Sequence, residues 1–115
     1  QVKQAEPKMS VICSGLTWLR RFGGNVGAAG VAEGSYDLAG FGRQALAYPN
    51  YAKDLLAGNW QTNQECLTCS SCTVMMRDGG VSGCPIRDGE VYRPLFQKGR
   101  EGKEAIDGSA VAYHV

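Results

Sequence analysis

Tyr36-Asp-Leu-Ala-Gly-Phe-Gly-Arg-Gln-Ala-Leu-Ala-Tyr-Pro-Asn50 passes from a short apolar run through a turn with two glycines into a helix-forming stretch. Tyr36–Gly40 reads as a strand and Gln44–Tyr48 as a brief helix. Pro49-Asn50 breaks that helix, because proline lacks an amide proton and its ring clashes with the preceding turn. Tyr51–Ala57 leaves room for another helical turn or two before Gly58 ends it.

Upstream, Met9-Ser-Val-Ile-Cys-Ser14 is continuous and rich in apolar and β-branched residues, as in a strand buried on both faces of a parallel sheet. Gly15–Gly24 reads as a loop holding Trp18, Arg20 and Arg21. Asn25 is then placed to cap a small-residue helix, Val26–Glu33, that stops at Gly34. Strand, helix, strand, helix makes two consecutive βα units, so the fold class is α/β with parallel strands covered by helices. Position 1 is not Met, and Gln1–Lys8 reads as running into the first strand with no cap or turn; the expectation is a fragment of something longer.

The chain has 115 residues, 43% hydrophobic and 20% charged, which suits one soluble globular unit. Its formal net charge is +1 with both signs interspersed, so no basic stripe is offered to nucleic acid or to an anionic membrane, and neither partner is expected. No apolar run reaches the roughly 18–20 residues that span a bilayer, and the polar N-terminus is unlike a signal peptide. The reading is cytoplasmic.

From Trp60 onward the composition changes, which sets a boundary near Gly58–Gln61. Cys66, Cys69 and Cys72 follow one another with two residues between neighbours, and Cys84-Pro85 comes after a turn at Asp78-Gly79-Gly80. Three thiolates on one tight loop plus a remote Cys-Pro is the ligand pattern of an iron–sulfur cluster, complete for a single 4Fe–4S centre. Zinc is the competing metal, but its structural sites more often pair two separated knuckles or include histidine, and the one histidine, His114, lies in the tail. Disulfides or free thiols are the remaining alternative and would need an oxidising compartment or no role at all. Cys13, inside the first strand, reads as a buried thiol acting as a small hydrophobe.

Both strands end in glycine turns, Ser14-Gly15-Leu16 and Gly40-Phe41-Gly42-Arg43. Backbone amides exposed at such turns can hold an anion, and in (β/α)8 barrels the phosphate of a ligand is commonly held by the loops after the last two strands. Gly40-x-Gly42-x-x-Ala45 also fits a dinucleotide fingerprint, but the acidic residue expected about 20 positions later is missing.

Tyr36–Gly58 together with Cys66–Cys84 resembles the end of the barrel in old yellow enzyme-type NADH:flavin oxidoreductases, in the branch containing trimethylamine dehydrogenase and 2,4-dienoyl-CoA reductase. The resemblance covers roughly residues 10–88 and rests on two motifs in the family's order, a strand ending in Gly-Arg and then the cysteines. It implies the last two βα units of a (β/α)8 TIM barrel in residues 1–60, followed by a cluster-binding segment and tail in residues 61–115. It further implies an FMN phosphate held at Gly15, Leu16, Gly42 and Arg43, and a 4Fe–4S cluster ligated by Cys66, Cys69, Cys72 and Cys84, passing single electrons to or from the flavin.

The residues that transfer hydride and donate protons lie on earlier strands in this family, so no catalytic residue is assigned to this chain. The parent protein would use NAD(P)H or another carrier and a small organic substrate. The rest of the barrel, or another copy of the chain in a homo-oligomer, would cover the sheet. The alternative is a non-enzymatic zinc-binding or ferredoxin-like module.

Overall fold

The structure, a computed structural model, describes residues 2–103; His114 and the rest of the tail lie outside them. The described chain is largely helical around a short parallel sheet. In order it runs α1 (Val2–Ala5), β1 (Ile12–Cys13), a 3-10 turn (Leu16–Phe22), α2 (Gly23–Ala32), β2 (Leu38–Ala39), α3 (Gly42–Ala47) and α4 (Tyr51–Leu56). A second 3-10 turn (Thr62–Gln64), α5 (Ser71–Arg77) and α6 (Gly89–Arg100) complete it.

β1 and β2 pair in parallel, Ile12 opposite Leu38 and Cys13 opposite Ala39, with α2 as the crossover. Asp37 fixes this register. Its backbone amide donates to Val11 O at 2.9 Å, while its Oδ2 accepts the Val11 amide at 2.8 Å and the Lys3 ammonium at 2.9 Å. These bonds, the Val11 amide foremost, hold the Asp37 carboxyl below its ordinary range.

The strands are shorter than their apolar runs because each has one neighbour among the described residues and therefore one short ladder. Nor are they covered on both faces: Ile12 is 62% and Leu38 55% exposed, and Cys13, expected to be buried, is half-buried. The expected run of Gln1–Lys8 directly into a strand is not found over the described residues 2–8, since α1 precedes a turn closed by the Met9 amide on Glu6 O.

Two corrections concern the crossover. The stretch read as a loop, Gly15–Gly24, contains a 3-10 turn, and α2 begins at Gly23 rather than after an Asn25 cap. Arg20 has a positive φ of 49° with ψ −125°, which kinks the chain between two helical segments without a capping side chain.

Buried Gly23, Gly24, Gly27 and Gly30 then line the side of α2 that meets its neighbours. A Cβ on Gly23 would lie 2.6 Å from Leu16 O, and one on Gly30 would lie 2.2 Å from the Tyr36 ring. The Tyr36 hydroxyl donates to Val26 O at 3.0 Å, fastening β2's approach to the helix.

α3 begins two residues earlier than its sequence pattern indicates and ends at Ala47, because Tyr48 precedes Pro49 and takes an extended conformation, φ −143° and ψ 83°. Tyr51 packs edge-on against both Phe41 and Tyr48, with ring centroids 5.1 and 5.9 Å apart. The buried Tyr48 hydroxyl donates to Asp54 and accepts the Gln61 amide at 3.1 Å. One phenol thus joins α3, α4 and the chain entering the cysteine segment.

That segment is partly helical, not only a loop, since α5 starts at Ser71. α6 lies within residues 61–115, expected to be a cluster-binding segment and tail. It tolerates Pro94 in its interior and packs Tyr92 against Gly83, where a Cβ would lie 2.2 Å from the ring. Asp78, after α5, receives Arg100 at 3.3 Å and Lys103 at 2.7 Å, closing the end of α6 onto α5. No helix among the described residues is long and apolar enough to cross a membrane.

Candidate cofactor site at the strand ends

Parallel pairing puts the two glycine turns at the same end of the sheet. The Gly40 amide donates to Cys13 O at 2.7 Å, and α3 packs against the 3-10 turn that follows Gly15. Gly15 has φ 88°, a conformation that costs a residue with a Cβ, and the Trp18 amide closes on its carbonyl at 3.2 Å. Space is open where a Cβ would stand on Gly15 or Gly42, whereas Leu16 is buried with its carbonyl against Gly23. The four residues read as a phosphate cradle therefore lie in adjoining turns, two of them with exposed backbone.

Arg43 is half-buried, its guanidinium 4.6 Å from the centroid of the Trp18 ring and its Nη1 donating to Ser70 Oγ at 3.1 Å. The side chain expected beside a phosphate thus also bridges the first glycine turn to the cysteine loop. The next residue reaches the same loop: Gln44 Oε1 accepts the Cys66 amide at 3.0 Å.

Between the first three cysteines, Thr68 and Ser70 take left-handed conformations, φ 59° and 60°, and wind the chain tightly. The winding turns the Thr68 amide onto Cys66 Sγ at 3.3 Å, and the Arg87 amide points at Cys84 Sγ, 3.4 Å away. Arg87 Nε also donates to Glu65 O at 2.9 Å, drawing the Cys84 loop toward the residue before Cys66.

Cys66, Cys72 and Cys84 are buried, Cys66 and Cys84 packing with Ala47 of α3. Cys69 is half-buried with its sulfur 3.3 Å from Ser71 Oγ. All five cysteines are free thiols. Burial raises the Cys66 thiol above its ordinary value; the Thr68 amide and Arg43 pull it down, and Cys72 and Cys84 are near enough to push it up. The structure thus packs Cys66 with Cys84, while Cys69 lies in the loop after Cys66 and Cys72 in the first turn of α5.

Among the described residues no three His, Cys, Asp or Glu side chains are arranged so that they could hold a metal ion. A zinc tetrahedron needs sulfurs converging at about 2.3 Å on one point, whereas a cubane places each thiolate on its own iron and keeps the sulfurs apart. The side chains brought here are thiols, with backbone amides aimed at two of them, and a buried amide nitrogen, Gln44 Nε2, has no partner among the described residues. A 4Fe–4S centre, were these cysteines to hold one, would supply one-electron transfer.

Beside the loop, residues Trp18–Phe22, Thr62 and Glu65 line an open cleft of about 420 Å³. Glu65 is 3% exposed, and burial raises its carboxyl above the usual range against the pull of Trp60, Arg20, Arg21 and Arg87. Sequence reasoning did not single out Gln44, Ser70, Thr68, Arg87 or Glu65. Their partners lie far along the chain, or their role depends on backbone conformation, and only the proximity of Ser70 and Thr68 to the cysteines signals them.

No protein-family model matches this chain, and neither does any curated protein or solved structure.

Proposed function

We propose that the chain is the cofactor-holding end of an FMN and 4Fe–4S oxidoreductase of the old yellow enzyme type. In this reading Cys66, Cys69, Cys72 and Cys84 ligate the cluster. The turns at Gly15–Leu16 and Gly42–Arg43 hold the flavin phosphate, and the parent enzyme moves electrons between NAD(P)H or another carrier and a small organic substrate. The observation that carries it is that Arg43 and Gln44, consecutive residues closing the second glycine turn, are both bonded to the cysteine loop, to Ser70 and to the Cys66 amide. One short segment would thereby hold two redox groups at a set separation.

The exposed pair Ile12 and Leu38 supports a sheet continued by further strands, from the upstream chain or another copy.

The test is metal and sulfide analysis of the protein purified without oxygen together with its upstream sequence. Four irons and four sulfides per chain, a broad band near 400 nm and released FMN are expected for this class of centre. Cys69→Ser should abolish the iron and loosen the segment around it. Stoichiometric zinc without iron would establish the zinc module instead, and a metal-free, flavin-free protein would end the redox reading.

A further inference from the structure

Gln44 is 3% exposed, yet half of its hydrogen-bonding capacity is unused within the chain. The Cys66 amide can only donate, so the atom facing it at 3.0 Å must be the side-chain oxygen, which fixes the orientation of the Gln44 amide. Nε2, the other polar atom of that amide, is buried and has no partner among the described residues. A buried NH2 without an acceptor is costly, and native proteins nearly always satisfy such groups.

The surroundings narrow the choice of acceptor. Ala47, on the same helix, packs against Cys66 and Cys84, and Arg43, the preceding residue, is turned toward Ser70 in the cysteine loop. The acceptors at hand are cysteine sulfur and Glu65 Oε1, which is also buried without a partner; of the two, sulfur is the one that packs against the helix carrying Gln44. Thiolate and inorganic sulfide both accept N–H bonds, as Cys66 and Cys84 already do from the Thr68 and Arg87 amides. Hydrogen bonds to these sulfurs are one of the levers on a cluster's potential, because a donor favours the more negative, reduced state.

We infer that Gln44 is a positioning and tuning residue, its oxygen holding the Cys66 ligand through the backbone and its Nε2 donating to a sulfur of the bound cluster. The inference rests on the cluster reading above. It adds that a side chain outside the cysteine motif raises the potential of the centre.

The experiment uses the protein with its upstream sequence, loaded with cluster, and compares wild type with Gln44→Glu and Gln44→Leu. The glutamate keeps an acceptor for the Cys66 amide and removes the NH2; the leucine removes both. Redox titration should show a lower potential in each variant that keeps its iron. The expected change is about tenfold in the reduced-to-oxidised ratio at fixed potential, or 59 mV for one electron. In wild type carrying 15N-labelled glutamine side chains, magnetic resonance of the reduced cluster should show a nitrogen coupling and an exchangeable-proton coupling that Gln44→Glu abolishes.

An unchanged potential in an iron-replete variant, or no 15N coupling in wild type, overturns the role given to Nε2 and leaves the cluster reading standing. Wild type without iron overturns both. If both variants lose their iron, the labelled wild type still decides.

Discussion

Arg43 and Ser70 are 27 positions apart in the chain, and Arg43 Nη1 donates to Ser70 Oγ at 3.1 Å while its guanidinium lies against Trp18. One cation thus spans the two elements that would hold different cofactors, the glycine turns and the cysteine loop. Ser70 can receive it because its backbone is in the left-handed region, φ 60°, immediately before α5 begins.

Arg43→Ala should therefore act at two places. A half-buried cation–π contact contributes about 0.5–2 kcal/mol, and the hydrogen bond adds a comparable amount. Trp18 emission should change, and hydrogen exchange at 66–72 should rise. Arg43→Lys should recover only part of this, since an ammonium lacks the planar fork that stacks and donates together. Unaltered exchange in the alanine variant would show that the cysteine loop holds its shape alone.

Gly83 and Tyr92 make the closest seam of the cysteine segment, the ring occupying the space of a Cβ at 2.2 Å. Gly83→Ala should displace α6 and cost about 1–3 kcal/mol, the usual range for overpacking. For a chain of this size each kcal/mol lowers Tm by about 4–8 °C. Adding Tyr92→Leu should restore part of the loss, measured by thermal unfolding of the single and double variants.

Asp78 governs how α6 responds to pH. Lys103 first, and Arg100 with it, hold the carboxyl below its ordinary range despite opposing desolvation. A depressed folded pKa means that the unfolded chain takes up the proton more readily. The contribution is complete above the unfolded value, about 3.9, and is lost as pH falls through the lower folded one. Thermal melts of wild type should decline below about pH 4, and Asp78→Asn should start lower at neutral pH and decline less. Parallel curves for the two proteins would refute the assignment.

Ile12 and Leu38 are cross-strand partners exposed together, at 62% and 55%. Expressed alone, the 115-residue chain should self-associate, because unpaired parallel edges and an uncovered apolar face take up whatever strand is offered. Leu38→Lys should shift light scattering toward monomer. A wild-type chain already monodisperse as a monomer would contradict the uncovered-sheet reading.

Local chemistry in the amino-acid order was enough to foresee the two strands and their parallel sense, the break at Pro49 and the end of α4 near Gly58. Each depends on a property carried within a few residues: β-branched runs, a proline without an amide proton, a glycine free to turn. The 3-10 turn at Leu16–Phe22 and the passage into α6 over Pro94 could not be foreseen that way. In both, contacts with distant residues decide the backbone against or beyond its local preference.

The same division runs through the candidate site. Cys66, Cys69, Cys72 and Cys84 announce themselves by type and interval, as do the glycines of the two turns. That Gln44 should clasp the Cys66 amide, and Arg43 the Ser70 hydroxyl, emerges only once the parallel strands bring α3 against a loop that lies 22 to 27 positions further along. Side-chain partners at such separations are set by how elements pack, which no short stretch of residues encodes.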